Sequence, residues 1–583
     1  MSRHLSLRRR LILAAAPLTL TGLVLAGCAV QSSAASTTST TSTDDTATSE
    51  TATVVDSDLS AAAVLAANAD VTVVEDDEWS EADAGEIALD GTSASSDSDA
   101  VSVDGSTVTI TAAGVFRLSG SLDGQVVVAA PDDAQVVLIL DDAEISASDS
   151  SAITVTSADD VAIFLADGSD NSVSDASSYA DDAEANAAIY ADADLTISGT
   201  GTATLEVSGN GNDGIASTDD LVVLSGTITV DAVDDGLRGK DSLTIADGTI
   251  EVTAGGDALK SDQTDDVTQG FVAITGGSVD AISGDDGIAA ATDAVVTGGT
   301  ITITTGSDAS TADDSPKGIS AGVVVALDGG DVTVDAVDDA VHSDGSIGIG
   351  GGTVTVSSGD DGIHAEQRLE IRDGDVTVAE SVEGLEAADV AISGGTVDVT
   401  SSDDGINAAS GTASATQGGG GMGGGEQDSG ETLTISGGTL RIAAVGDGLD
   451  SNGSISITGG TTVVSGPSSA GGQGALDSNG AIAIDGGEIF VAGSVLVTPT
   501  GAQQWVAATA SGSAGDTLEV TDAAGTVIAT FAADQGFGAV FYSGPAVTDG
   551  ASYAIAVNGV SAATVTEGVN VSGGMGGGGG RRP

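Results

Sequence analysis

Residues 351–371 read GGTVTVSSGDDGIHAEQRLEI and contain three short β-type segments, TVTV (353–356), GIHA (362–365) and LEI (369–371). Within each segment the alternation of side chains places the apolar residues on one side. The turns between the segments consist mainly of Gly, Ser and Asp, and they are too short to contain helices. A unit of this kind is predicted to stack against copies of itself, so that the apolar sides share one core.

The same unit recurs along most of the chain. Five of the ten intervals between aligned repeats are 22 residues long, and the longer ones contain insertions. A three-strand coil of about 22 residues predicts an all-β fold, a right-handed parallel β-helix, because propeller blades and leucine-rich repeats have longer or differently patterned units. The repeats align on the small residue of a D-D-G-I/L pattern, namely Gly214, Gly236, Ala258, Gly287, Gly318, Ala340, Gly362, Gly384, Gly405, Gly448 and Ala475.

Changes in composition divide the chain into six segments. The repeats occupy the largest of them, and a repeat protein extends its core along one axis, so its length does not require several globular domains. We expect a lipoprotein signal peptide with a lipobox at 1–28, a Ser/Thr-rich linker at 29–55, an N-terminal cap region at 56–105, the β-helix at 106–500, a small C-terminal β region at 501–565 and a Gly-rich disordered tail at 566–583.

The first 28 residues resemble an export signal. A basic stretch at 3–10 precedes an apolar stretch at 11–26, and Leu25-Ala26-Gly27-Cys28 follows. This order is typical of a lipoprotein signal, in which cleavage before Cys28 frees its thiol for lipidation. We therefore expect an extracellular protein anchored to the cell surface through lipid on Cys28. An ordinary signal peptide with an incidental cysteine is the alternative.

The chain is strongly acidic, with 88 Asp and Glu against 14 Lys and Arg and a formal net charge of −74. Such a polyanion repels nucleic acid and anionic membrane surfaces, so we expect no nucleic-acid partner and membrane contact only through the N-terminal lipid. Hydrophobic residues are 40% of the chain, which is too many for a disordered acidic tail. The single cysteine excludes disulfides and multi-cysteine zinc sites. We expect a monomer.

One column of the predicted helix is acidic. The residue before the aligned small residue is Asp or Glu in nine of eleven repeats. Carboxylates about 4.8 Å apart repel by a few kcal/mol, so the side chains must either accept turn N–H groups or bind bridging cations such as Ca²⁺. Both alternatives are open. The column consists of Asp213, Asp235, Asp257, Asp286, Asp339, Asp361, Glu383, Asp404 and Asp447.

A second column, two residues after the aligned position, collects scarce basic side chains. It contains Arg238 and Lys260 on adjacent coils, and His342 and His364 on another adjacent pair. One interpretation is that these residues only neutralise the acidic column beside them. The other is a polar groove in which they, together with carboxylate-bound Ca²⁺, bind an acidic polymer.

Several stretches resemble a known family. They are LSGSLDGQVVV (118–128), ANAAIYADADLTISGTGT (185–202), DDGLRGKDSLTIADGTIEV (234–252), GGDALKSDQTDD (255–266) and DDGIHAEQRLEI (360–371). They are similar to the bacterial secreted carbohydrate-binding domain family. The resemblance implies a right-handed β-helix like that of pectate lyases, bound Ca²⁺ and binding of acidic plant polysaccharide, such as polygalacturonate, or of cellulose.

The resemblance and the two columns together give the candidate site residues. This chain is more acidic than the family pattern, which makes Ca²⁺ more necessary for capturing a polyuronate. The candidate polysaccharide-binding residues are Arg238, Lys240, Lys260, His342 and His364. The candidate Ca²⁺ ligands are Asp234, Asp235, Asp241, Asp262, Asp265, Asp266, Asp360 and Asp361.

The predicted function is non-catalytic binding of polysaccharide at the cell surface. Aromatic residues are only 2% of the chain, which favours an acidic ligand over neutral sugars that stack on Trp or Tyr. Trp79 and Trp505 lie outside the repeats and are expected to be packing residues. One alternative is a Ca²⁺-dependent polysaccharide lyase with Lys260 as the base. The other is a structural or adhesive rod without a sugar ligand.

Overall fold

The computed structural model describes residues 10–11, 58–180, 183, 185–306, 315–410, 428–468, 474–494 and 496–571. Strands of successive coils pair in parallel, and Arg238 lies opposite Lys260, one repeat away. The same register continues from His342 to His364. The predicted parallel β-helix is therefore confirmed. Cys28, the predicted linker 29–55 and residues 572–583 of the predicted tail lie outside the described residues, whereas 566–571 are described and end in the strand Asn570–Val571, contrary to the predicted disorder.

Each coil contributes one strand to each of three faces. Face 1 contains the strands that follow the aligned small residue. Its strands are Thr107–Ile110, Gln125–Ala129, Ile153–Ser157, Ala187–Ala191, Asp213–Ser217, Leu237–Gly239, Leu259–Ser261, Ile288–Ala290, Ile319–Ala321, Val341–Ser343, Ile406–Ala408 and Leu449–Ser451. Ile363–Ile371 and Leu385–Ile392 begin on face 1 and bend onto face 2.

Faces 2 and 3 complete the coil. Face 2 consists of Asp160–Leu165, Asp194–Gly199, Asp220–Val223, Ser242–Ile245, Phe271–Ile274, Asp293–Val296, Val324–Leu327, Ser346–Ile349 and Thr432–Ile435. Face 3 consists of Asp170–Ser174, Thr204–Gly209, Thr227–Ala232, Thr249–Ala254, Ser278–Ser283, Thr300–Thr305, Asp331–Ala336, Thr353–Ser358, Asp375–Glu380, Thr396–Ser401 and Thr439–Ala444. Gly85–Gly91, Gly114–Asp123, Gln135–Ser146, Ser454–Ser465 and Ile482–Gly493 run across both faces.

The core is built from aliphatic side chains that repeat from coil to coil. On face 3 every second residue points inward, as in Ile228 and Val230, while the residues between them face solvent. The same alternation recurs one coil later at Ile250 and Val252. This regular burial agrees with the period-two pattern from which the strands were predicted.

The small aligned residue lies where the chain turns onto face 1. A Cβ atom added to Gly384 would lie 2.2 Å from Cγ1 of Val399 and 2.3 Å from the carbonyl oxygen of Gly405. The next coil therefore leaves room for only the smallest side chains. This close approach explains why the aligned position carries Gly or Ala in every repeat. A second glycine, such as Gly352 with φ of 78°, occupies the left-handed region in the turn before face 3.

The N-terminal segment differs from expectation, because most of it covers a side of the helix and not its end. Helix α1 (Ala61–Ala67) packs against Val295, Val324 and Ala326 of face 2. Further along, Val71 and Val73 contact Phe271 and other residues of the same face. Face 2 has apolar residues on its outer side as well as its inner side, so it needs this cover. We call residues 58–84 the strap.

The strap leads into the first coil. Its elements after α1 are Val71–Thr72, which pairs with Arg10–Leu11, and the 3₁₀ turn Glu81–Asp83. The helix then begins at Gly85–Gly91, earlier than the expected residue 106, because this strand pairs in parallel with Gly114–Asp123. The hairpin strands Ala94–Ser96 and Val101–Asp104 complete that end. Among the described residues, no helix is sufficiently long and apolar to span a membrane.

The C-terminal β region closes the other end. Trp505–Gly512 and Phe537–Ser543 pair with each other, and the second strand also pairs antiparallel with the last coil. Two further groups complete the region: the short strand Asn570–Val571, and a sheet of Thr517–Asp522, Val527–Ala532, Ser552–Val557 and Val560–Thr566.

Both tryptophans are packing residues, as predicted. The ring centroid of Trp505 lies 5.8 Å from that of Phe541. The ring centroid of Trp79 lies 4.9 Å from that of Phe164. Each indole therefore joins an end or a side of the helix to its core and is not displayed for stacking on a sugar.

Replacing Gly384 by Ala is expected to reduce the free energy of unfolding by about 1–3 kcal/mol, because the methyl group overlaps the neighbouring coil. Chemical denaturation followed by circular dichroism measures the change. Gly85→Ala is the matched control, since its nearest contact would be an ordinary 3.6 Å. Equal stability of the two variants would contradict the steric explanation.

Candidate functional site

The acidic column forms a ladder of hydrogen bonds between coils. Oδ1 of Asp235 accepts the backbone N–H of Asp257 at 3.0 Å, and Oδ1 of Asp257 accepts that of Asp286 at 2.9 Å. Asp339 accepts the N–H of Asp361 in the same way, at 3.0 Å. We call this column the carboxylate ladder. One oxygen of each of these side chains therefore accepts a backbone N–H group, and the other oxygen remains for a cation. Other members with the same contact are Asp213, Asp286, Asp361, Asp404 and Asp447.

The second carboxylate oxygen of several ladder residues faces the basic column of face 1. Nζ of Lys260 lies 3.0 Å from Oδ2 of Asp235 and 2.7 Å from Oδ2 of Asp257. The Arg238 guanidinium lies 2.6 Å from Asp262 and 3.6 Å from Asp213. Arg238 and Lys260 thus neutralise only part of the ladder.

The two histidines converge on one carboxylate. Nδ1 of His342 and Nδ1 of His364 lie 2.8 Å and 3.4 Å from the same Oδ2 of Asp339. Burial alone would raise the pKa of Asp339, but the hydrogen bonds from both rings prevail and hold it below its usual range. In the next coil, burial and the neighbouring Glu383 and Asp361 raise the pKa of Glu386 to about 10, so that its carboxyl is neutral at pH 7.

Most ladder acids are less well compensated than Asp339. Burial, followed by the charge of Asp235, raises the pKa of Asp213 to about 7 in spite of Arg238. Burial also raises the pKa of Asp404 to about 7, and the charges of Asp447 and other neighbouring acids add to the rise. These carboxylates lack sufficient positive charge nearby, which makes them candidate sites for a cation.

A cavity of about 380 Å³ opens on face 1 beside Arg238. Its lining includes Tyr190, Ala216, Arg238 and Lys240. The first three residues are consecutive members of one outward column, because Tyr190 pairs with Ala216 and Ala216 pairs with Arg238. The small side chain of Ala216 leaves a gap between the phenol ring and the guanidinium. The gap is lined by groups able to stack on and hydrogen-bond to a sugar.

The structure brings some predicted Ca²⁺ ligands together. Oxygens of Asp213, Asp234 and Asp235 lie within 4.8 Å of one another, as do those of Asp338, Asp339 and Asp360. Asp361 forms a third group, with His364 and Glu386. The first two groups offer only oxygen donors, which is the donor type that Ca²⁺ prefers.

The other predicted ligands have different surroundings. Asp241 accepts hydrogen bonds from the side-chain amides of Gln263 and Gln269, at 3.0 and 2.8 Å. Asp262 pairs with Arg238, as described above. Asp265 and Asp266 are exposed on the loop before Phe271–Ile274, where Oδ1 of Asp266 accepts the N–H of Thr268 at 3.0 Å.

Two residues that sequence reasoning did not select belong to this surface. Tyr190 lies twenty-six residues before Ala216 and outside the aligned repeats, so only strand pairing reveals its place in the column. Glu386 follows His364 in the outward column of face 1, but nothing in the sequence distinguishes it from the many other acidic residues. Its contact with the buried carboxylates of the adjacent coil makes it distinctive.

The protein is expected to be more stable near pH 5 than near pH 8. Burial raises the pKa of Asp213, Asp404 and related acids from the unfolded value of about 3.8 to about 7. The folded state thus binds more protons than the unfolded state between these values, and stability falls as pH rises. Calorimetric unfolding in chelator from pH 4 to pH 8 measures the trend, and a rising unfolding temperature would contradict it.

Asp404→Asn should reduce this pH dependence. The amide oxygen can still accept the Asp447 N–H, while the charge is lost, so the unfolding temperature should rise more at pH 8 than at pH 5. Asp404→Ala is the matched control. It removes the same charge but leaves the N–H without its acceptor, so it should be less stable than Asp404→Asn at both pH values by about 1–3 kcal/mol.

A described protein family matches the sequence of this chain. The family described as "Carbohydrate-binding domain-containing protein" matches residues 104–362 and 353–494. A relative of that name from Acetivibrio thermocellus is 40% identical over 139 residues, which are 23% of this chain and 48% of the relative. The match therefore spans about half the length of that curated relative.

A solved structure is also similar over part of the chain. It is a polysaccharide lyase-like protein from C. thermocellum, determined as a gadolinium derivative. It is 36% identical, and the match covers 38% of this chain and 92% of that one with a TM-score of 0.37. The family match covers most of the chain and includes all three faces of the helix. The chain accordingly belongs to the carbohydrate-binding domain-containing protein family.

Proposed function

We propose that the protein binds an acidic, polygalacturonate-like polysaccharide along face 1, with Ca²⁺ joining ligand and protein. Family membership supports carbohydrate as the ligand class. The cavity at Tyr190, Ala216, Arg238 and Lys240 is the observation that carries the choice of surface. It is a concave polar site in the column that sequence analysis had selected.

The cavity suits one sugar unit of a chain that follows the helix axis. A pyranose ring over Ala216 could stack on Tyr190, while Arg238 and Lys240 meet a carboxylate or hydroxyl groups. Arg238 is already paired with Asp262, so it offers hydrogen bonds without a free positive charge. Lys240 is exposed beside the cavity and is the better partner for an anionic sugar.

Calcium would supply the positive charge that this surface lacks. The group of Asp213, Asp234 and Asp235 provides three carboxylates, whereas Ca²⁺ takes about six to eight oxygen ligands. Uronate carboxylates and water could complete such a shell. The raised pKa of Asp213, caused by burial and then by Asp235, is consistent with a group that gains from a bound cation.

The contacts of Lys260 support a binding role over the alternative lyase activity. A lyase base must lose its own proton before it can take one from the sugar. The charges of Asp257 and Asp235 outweigh burial and raise the pKa of Lys260 above its usual range, so the ammonium keeps its proton at neutral pH. We therefore assign Lys260 a structural, charge-neutralising role and propose no catalytic residue.

We also propose that the protein is exported and anchored through lipid on Cys28. The basic, apolar and Leu25-Ala26-Gly27-Cys28 segments support this localisation. A surface anchor would place face 1 where extracellular polysaccharide can reach it.

Polygalacturonate binding tests the proposed function. Calorimetric titration should give heat with Ca²⁺ and none after chelation. Tyr190→Ala and Lys240→Ala should each weaken affinity about tenfold, since each removes one contact in the cavity. Arg441→Ala is the charge-matched control, because this arginine lies on face 3, where it pairs with Asp534, and should leave affinity unchanged.

Three results would contradict the proposal, each in its own way. Binding of cellulose alone would overturn the acidic specificity. Growth of ultraviolet absorbance from unsaturated uronide would establish a lyase. No heat with any polysaccharide would favour the structural or adhesive rod.

Cys28→Ser should release the protein from the membrane fraction of the expressing bacterium, because a serine at this position cannot receive the lipid thioether. Detergent-phase partitioning measures the change, and the circular dichroism of the β-helix should be unaltered. Equal partitioning of the two proteins would reject lipid anchoring at this residue.

A further inference from the structure

The histidine cluster lies apart from the proposed sugar cavity and contains a different donor set. His342 and His364 occupy adjacent coils in the outward column of face 1, and their ring centroids are 5.0 Å apart. The side chains are 12% and 18% exposed. They are the two histidines of the described residues, and both lie against the same ladder carboxylate.

The donor atoms of this cluster converge. One ring nitrogen from each histidine and a carboxylate oxygen of Asp339 all lie within 4.8 Å of one another. A second group, formed by Asp361, His364 and Glu386, satisfies the same limit and shares His364 with the first. The two groups together place donor atoms of three successive coils next to one another, with His364 common to both.

The spacing is close to that of a tetrahedral metal centre. Ligand atoms about 2.0–2.1 Å from Zn²⁺ lie roughly 3.3 Å from each other. The distances from Nδ1 of His342 and of His364 to Oδ2 of Asp339 are 2.8 and 3.4 Å, and Nδ1 of His364 lies 3.6 Å from Oδ2 of Asp361. An ion at this position would replace the direct contacts between the rings and Asp339.

The same column continues beyond the cluster with one unpartnered polar atom. Asn407 follows Glu386 in the column and is 9% exposed. Its amide nitrogen donates to Glu383, whereas its Oδ1 is buried without a hydrogen-bond partner among the described residues.

We propose that His342, His364 and Asp339, with a carboxylate of Asp361 or Glu386 as the fourth ligand, bind one divalent transition-metal ion such as Zn²⁺. Imidazole nitrogen selects such ions over Ca²⁺, which prefers oxygen donors alone. The ion would take the place of the two N–H groups that now meet at Asp339. It would join neighbouring coils and leave the sugar cavity at Tyr190 unchanged.

The test uses the full chain with Cys28→Ser, which removes the only thiol, after treatment with chelator. Calorimetric titration with ZnCl₂ in excess CaCl₂ should reveal one site, because Ca²⁺ occupies the all-oxygen groups. His342→Ala and His364→Ala should each weaken Zn²⁺ binding at least about tenfold. Ser320→Ala is the matched control, since Ser320 pairs with His342 in the same column and should not alter binding.

Absorption by Co²⁺ provides a second measurement that needs no variant. Tetrahedral Co²⁺ bound to the unaltered histidines should give intense visible bands that Zn²⁺ then displaces. Absence of these bands, or Zn²⁺ binding that survives in the His342→Ala/His364→Ala double variant, would overturn the proposal. If the alanine variants fail to fold, His342→Gln keeps a donor for Asp339 but not the imidazole, and undiminished binding there would also overturn it.

Discussion

The stacking of coils depends on a hydrogen bond that is repeated along one edge of the helix. A carboxylate of one coil accepts the backbone N–H of the acidic residue in the next, as Asp235 does from Asp257. This bond fixes the height of each turn at the point where face 1 begins. The adjoining Gly or Ala then allows the next coil to approach, because a larger side chain would strike its backbone. Hydrogen bond and close approach together explain why the D-D-G-I/L pattern recurs.

The same bond creates an electrostatic demand. Every coil that uses an Asp in this way adds a buried carboxylate beside the previous one. Burial by itself disfavours the charged form of each carboxylate. The charges of the ladder are neutralised in different ways along the chain. Lys260 bridges two ladder residues, two imidazoles share Asp339, and the Glu386 carboxyl beside the ladder becomes neutral. At Asp404, burial and the charges of Asp447 and other neighbouring acids raise the pKa to about 7. The candidate ion sites follow from this uneven neutralisation.

Much of the architecture could be predicted from the sequence, because every coil of a regular β-helix repeats the same length and the same alternation of inward and outward side chains. The outward column of face 1 could be predicted for the same reason. The alignment of the repeats places Arg238, Lys260, His342 and His364 at the same position of their coils. Features that do not repeat could not be predicted from the sequence. Tyr190 precedes the aligned repeats, and the strap packs on face 2 through contacts that occur once. The division of each ladder carboxylate into one oxygen for the backbone and one for a cation is a matter of side-chain geometry, which periodicity does not encode.

The path of the strap has a mechanical consequence. Its first described residues lie against Val324 and Ala326, far along the helix from the first coil at Gly85–Gly91. A force transmitted through the chain before residue 58 would therefore reach the rod on its flank and not at its tip. Such a load would peel α1 from face 2 contact by contact, while the inter-coil hydrogen bonds of the helix would carry little of it. The contacts between the strap and face 2 would break first, and the three-faced core would stay folded under tension.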